Sequence, residues 1–139
     1  MREVIIDIKG TQGIGSDTEV IEFSTVGKIK KTDGGYTIFY DEGEITGSKN
    51  STSLEVKDQS TVVLERTGET SSKLIIQKGI RNNCFYSTPY GNLMIGIFGE
   101  EIKNELKDNG GSLKMSYTID QNLQPISRNI VEIAVREVQ

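Results

Sequence analysis

The chain is expected to fold as an all-β protein, a closed antiparallel up-and-down barrel of about eight to ten short strands. Three observations lead there. Apolar and polar residues alternate with period two from one end of the chain to the other, which is the signature of half-buried strands. Turn chemistry punctuates the runs, with 15 Gly but only 2 Pro in 139 residues, as tight hairpins require. No segment carries the length and 3.6-residue period of a helix able to cover a sheet, so the strands must bury their apolar faces against one another. A barrel and a sandwich both satisfy that demand. Successive hairpins, and the removal of exposed edges on closure, favour the barrel. The length suits one domain, residues 1–139.

The elements follow in order. Val4, Ile6 and Ile8 share one strand face, and Ile21, Phe23 and Thr25 share the next. Residues 10–17, with the G-x-x-G-x-G spacing of Gly10 to Gly15, read as a Gly-rich hairpin connection, since no βαβ context supports a phosphate loop. Asp33-Gly34-Gly35 marks a hairpin turn before Tyr36, Ile38 and Tyr40. Leu54 and Val56 lead through Asp58-Gln59-Ser60 to Val62, Leu64 and Arg66, with polar loops expected at 43–53 and 66–73. Leu74, Ile76 and Lys78 follow, then Cys84 and Tyr86. Thr88-Pro89-Tyr90-Gly91 has turn chemistry and precedes Leu93, Ile95 and Ile97. Leu113, Met115, Tyr117 and Ile119 form the penultimate strand, and Asn129, Val131, Ile133 and Val135 the last.

One segment imitates a helix. Ile102 and Leu106 are four apart, but Glu101–Glu105 and Lys103–Lys107 would then be like-charged neighbours on a helix surface. Read as a strand, residues 100–107 alternate cleanly into Asp108-Asn109-Gly110-Gly111. A two-residue turn about Asn109-Gly110 would set Leu106 opposite Leu113, Ile102 opposite Tyr117 and Glu105 opposite Lys114. Apolar parity changes between Ile97 and Ile102, which calls for a bulge or bend near Gly99.

Composition excludes several chemistries. The chain has no His and one Cys, which removes Ser-His-Asp and Cys-His nucleophile pairs and a structural zinc site. It also precludes an internal disulfide. Sixteen basic against 20 acidic residues give a net charge of −4, which opposes binding to phosphate backbones. No run of 18 apolar residues is present, and the charged, alternating N-terminus is unlike a signal peptide. A cytoplasmic location, no membrane partner, no cofactor and no metal are the expectations.

A set of short motifs carries a resemblance. Tyr86-Ser-Thr-Pro-Tyr-Gly91 before an apolar strand, Gly110-Gly111-x-Leu113-x-x-x-Tyr117, and Ile126-Ser-x-Asn129 occur in that order. Upstream stand Val20-Ile-Glu-Phe23-x-Thr-x-Gly27 and Arg66-x-Gly68. Together they resemble the YwiB-like family of small bacterial proteins, a family of unknown function assigned a calycin-like β-barrel, over roughly residues 3–137. The resemblance implies such a barrel and a bacterial, Firmicute source. It brings no catalytic residues. Because calycins include lipocalins and fatty-acid-binding proteins, it makes a ligand cavity a fold-level expectation.

Candidate functional residues are polar side chains on core-facing positions. Arg66 and Lys78 share parity with apolar neighbours, and Tyr40, Tyr86, Tyr117 and Asn129 extend apolar faces. An inward Arg needs a carboxylate, carbonyls, water or an anionic ligand. Converging at one barrel mouth, these six would bind a small amphipathic carboxylate. Alternatively, the cations snorkel to water at strand ends and the tyrosines fill the core. Phe39, Phe85, Met94 and Phe98 have outward parity and are candidates for a homodimer interface. Asp41, Glu42 and Glu44 offer oxygen ligands but have the look of a solvated loop. Cys84 is read as a buried small hydrophobe. A binding barrel leads, an interaction module with a solid core is the alternative, and an enzyme finds no positive motif.

Overall fold

The computed structural model describes residues 2–41, 50–68, 71–88 and 91–138. Ten strands form the barrel: β1 (Arg2–Ile14), β2 (Asp17–Thr32), β3 (Gly35–Asp41), β4 (Ser51–Val56), β5 (Thr61–Thr67), β6 (Ser72–Gln77), β7 (Arg81–Thr88), β8 (Gly91–Lys107), β9 (Gly110–Gln121) and β10 (Gln124–Glu137). Each strand pairs antiparallel with its neighbours in sequence, and β1 closes the ring on β10. Inward residues fill the lower half: Val4, Ile6, Ile38, Val56, Val62, Ile76 and Ile97 are entirely buried. Each such side chain contributes about 1.5–3 kcal/mol of transfer free energy.

Most of the expected elements are present, and the departures are instructive. The segment around Ile102 is strand, and the β8–β9 ladder shifts register between Gly99 and Glu101, at the expected bulge. Ile97 and Ile102 both face inward as a result. The β8–β9 turn, however, is centred on Asp108-Asn109, with Lys107 opposite Gly110. Leu106 therefore faces Gly111, Ile102 faces Met115, and Lys114 faces Lys103 rather than Glu105. The slip of two residues preserves every face while changing every partner. Gly110 and Gly111 start β9 because both have positive φ, and a Cβ on Gly111 would enter the Glu105 carbonyl. The Gly-rich stretch from Gly10 is likewise strand. Gly10–Gly13 pair with β10 on one side and β2 on the other, leaving only Gly15-Ser16 as the turn.

The two ends of the barrel differ. At the end holding the β2–β3, β4–β5 and β8–β9 turns, the loop after β4 is stitched to β8. Gln59 Nε2 donates to the Asn104 carbonyl (3.0 Å), the Asn104 N–H donates to Gln59 Oε1 (3.3 Å), and Asn104 Nδ2 donates to the Asp58 carbonyl (3.3 Å). Across the same end, the Tyr36 hydroxyl donates to Asp108 Oδ1 at 2.7 Å. That bond, with Lys31 nearby, holds the Asp108 carboxyl below its ordinary range. This is the closed end.

One seam is laced differently from the rest. Among the described residues the β6–β7 ladder has the single pair Ser72↔Tyr86, flanked by a bridge between Gln77 and Ile80. Between them side chains span the strands. The Ile75 N–H donates to Cys84 Sγ (3.4 Å), and Asn82 Nδ2 donates to the Ile75 carbonyl (3.4 Å). Cys84 is buried, as its inward parity suggested.

Candidate functional site

The site is built from two register rows. In the first, Tyr40 pairs with Thr52, Thr52 with Arg66, Arg66 with Ser72, Ser72 with Tyr86, and Tyr86 with Leu93. Six neighbouring strands thus hold Tyr40, Arg66 and Tyr86 at one level, away from the closed end. In the second row Tyr117 pairs with Asn129, Asn129 with Gln12, and Gln12 with Glu19. The rows meet across the barrel interior at two adjoining compartments of about 490 and 370 Å³, both lined by Arg66, Tyr117, Leu64 and Val131. Tyr40 and Asn50 line the larger, and Tyr86, Asn129, Ser72 and Glu19 the smaller.

Polarity changes along the strands. The larger compartment is floored by Ile8, Leu54, Leu64, Met115 and Ile133. On their own strands these lie two to four residues nearer the closed end than Gln12, Thr52, Arg66, Tyr117 and Asn129. Phe23 and Tyr40 form its side wall, their rings tilted at 59° with centroids 6.3 Å apart. The cavity is therefore an apolar cup with a polar brim.

Electrostatics at the brim are set by burial. The Nε of Arg66 is sealed from solvent, and its guanidinium carries positive charge into the cavity wall. Tyr117 is only 6% exposed. Burial pushes its phenol up to about 12, against the pull of the Arg66 charge and with a small push from Tyr40. Tyr117 accordingly remains a neutral hydrogen-bonding group at physiological pH. In an alkaline titration followed by tyrosinate absorbance, we expect one phenol to ionise only near pH 12, and Tyr117→Phe to delete that step. A deletion near pH 10 instead would contradict the burial. Because the folded state keeps a proton that the unfolded chain releases near pH 10, this group weakens the fold as pH rises above 10.

Five of the six residues singled out from the sequence, Arg66, Tyr40, Tyr86, Tyr117 and Asn129, line these compartments. Lys78 does not. It lies beyond the end of β6 at the opposite end of the strand from Ser72, exposed, with its N–H donating to the Ser60 carbonyl (2.9 Å). Its apparent inward parity fails because the strand stops at Gln77. Thr52 and Asn50 are buried at the brim although they sit in a stretch read as loop. The parity of Leu54 and Val56, continued backwards, reaches both.

The outward residues divide. Phe85 and Met94 are 65% and 51% exposed and directly paired across β7–β8. Phe98 shares their face, but Gly96 intervenes, roofed by the Arg81 guanidinium, which makes a two-pronged pair with Asp120 at 2.9 and 2.6 Å. Phe39 is remote: Ser53, Glu65 and Lys73, on β4, β5 and β6, separate it from this face. The four do not form one patch. Asp41 accepts a hydrogen bond from the Ser51 hydroxyl (2.7 Å), while Glu42, Glu44, Pro89 and Tyr90 lie outside the described residues. A further depression of about 640 Å³ lies on the outer surface of β1, β2, β8, β9 and β10. Its charges pair across strands, Lys9 with Glu22 (3.8 Å) and Lys114 with Glu132 (3.7 Å), as on an ordinary solvated face.

Residues 6–133 match the family described as Domain of unknown function (DUF1934). The chain belongs to DUF1934. The YwiB protein from Bacillus subtilis, whose crystal structure is solved, has the same fold. It superposes with a TM-score of 0.87 at 19% identity, over 99% of this chain and 93% of that one. No curated protein matches the chain. The DUF1934 barrel thus has an established architecture, and its chemistry must be argued from the cup and its brim.

Proposed function

We propose that this DUF1934 barrel is a non-enzymatic binding protein for a small, partly apolar anion, in the manner of a calycin. One observation carries the reading: two register rows from opposite sides of the ring bring Arg66, Tyr40, Tyr86, Tyr117 and Asn129 to the brim of an apolar cavity. A volume of about 490 Å³ falls within the range of small-molecule sites, which combine apolar walls with a few converging polar groups. The guanidinium supplies charge and directional donors for a carboxylate, and the phenols supply further hydrogen bonds. The free thiol of Cys84 suits a reducing compartment, and the reading places the protein in the cytoplasm.

Native mass spectrometry of protein purified without denaturants or lipid extraction tests this. An adduct of a small organic anion, absent from a folded Arg66→Ala variant, is the expected result. A bare mass under conditions that preserve the fold counts against it. A second reading, a homodimerising interaction module, draws on the paired and exposed Phe85 and Met94. It requires a dimer mass by light scattering that Phe85→Ser with Met94→Ser abolishes.

A further inference from the structure

Resting on that reading of the brim, we infer that the ligand is a single-chain aliphatic carboxylate of medium length. It lies with its chain toward the closed end and its carboxylate beside Arg66.

The polarity gradient sets the orientation. From the brim toward the closed end the lining passes from Arg66 to Leu64, from Tyr117 to Met115, and from Asn50 to Leu54. A carboxylate placed at the floor would meet Ile8, Leu54, Met115 and Ile133 and lose its hydration with no donor in return. An alkyl chain placed there meets only apolar surface. The two compartments are not equivalent for the charged end. Both are lined by Arg66, but Glu19 lines the smaller one and repels an anion there.

The layer beneath sets the length. Ile6, Ile38, Val56 and Val62 are wholly buried under the floor, and the loop stitched by Gln59 and Asn104 closes the end beyond them. The chain has a stop. Affinity must then rise with each methylene that enters, roughly fourfold per carbon, and fall once the terminal methyl has reached the floor and a longer chain pushes the carboxylate away from Arg66. Val131, half-buried and shared by both compartments, stands between brim and floor, so its size meters the depth.

Calorimetric titration of the full-length chain with straight-chain saturated carboxylates from six to sixteen carbons, below their micelle concentrations, tests the inference. A maximum in affinity is expected. Val131→Phe should move it to a shorter chain and Val131→Ala to a longer one, with thermal melts showing both variants folded. Should Val131→Phe not fold, the lengthening in Val131→Ala decides alone. Carboxylates that bind with a maximum indifferent to residue 131, or with no maximum, overturn the orientation while leaving the anion-binding brim intact. If no carboxylate binds while native mass spectrometry shows an Arg66-dependent adduct of another class, the ligand assignment falls and the binding barrel stands. If neither is seen, both fall.

Discussion

Replacing Gly99 by Ala should cost about 3 kcal/mol and lower the melting temperature by on the order of 10 °C. A Cβ at this position would enter the Gln77 carbonyl and press on the Lys78 nitrogen. Both are backbone atoms, so no side chain can rotate away. They also cannot retreat, because the Gly79 N–H donates to the Gly99 carbonyl at 2.8 Å and Lys78 is tied to Ser60. Gly99 marks the place where β8 leaves β7, gains the extra residue of its bulge and crosses toward the closed end. Gly13→Ala is the internal control. Its nearest atom would be the Arg128 carbonyl oxygen at 3.9 Å, and a change within about 0.5 kcal/mol, with a stabilising sign, is expected. Chemical denaturation of the two variants side by side checks the pair. Equal midpoints would mean that the crossing at Gly99 is not as tight as described.

The second large effect belongs to Arg66. Reversing its charge in Arg66→Glu should weaken decanoate binding by about 3 kcal/mol, on the order of a hundredfold, as measured by calorimetry at moderate salt. Arg66→Lys keeps the charge but loses the planar fork, so it should fall between the two. Decanol shares the chain and lacks the charge, and its affinity should move far less across the series. Thermal melts separate lost binding from lost folding. Decanoate binding unchanged in a folded Arg66→Glu protein would remove the guanidinium from the site and, with it, the proposed function.

Much of this architecture is legible in the sequence, because a strand with one wet face must alternate. Parity alone yields the inward sets Val4–Ile6–Ile8 and Leu113–Met115–Tyr117, and the conflict between Ile97 and Ile102 locates the bulge. It also brings Arg66 and the tyrosines indoors. Parity is blind to three things. It cannot distinguish registers that differ by two residues, so Asp108-Asn109-Gly110-Gly111 offers two turns, and the close approach of Gly111 to the Glu105 carbonyl decides between them. It does not say where a strand stops, which is why Lys78 falls at the wrong end and why Asn50 and Thr52 escape notice. It says nothing of distance around the ring, so Phe39 and Phe85 look alike as outward aromatics although three strands part them.

The sparse lacing of β6 to β7 gives the ring a direction in which to open. A closed barrel has no edge, and most of its ladders cannot part without breaking several backbone hydrogen bonds together. Here backbone pairing is confined to the two ends of the seam, where Ser87 bonds to Ser71 and Ile80 to Gln77. Between them the Cys84 thiol and the Asn82 amide stand in for the ladder. Partial opening along this line should therefore cost less than parting any of the fully paired ladders, and less than global unfolding. It would turn the barrel briefly into an open sheet with β6 and β7 as its edges. The amide proton of Ile75, which faces this seam, would exchange with solvent ahead of those in the β9–β10 hairpin. The hinge of that excursion, Ser72↔Tyr86, lies in the same register row as Arg66. A carboxylate held beside Arg66, as proposed, would slow that exchange, as a clasp holds a hoop shut.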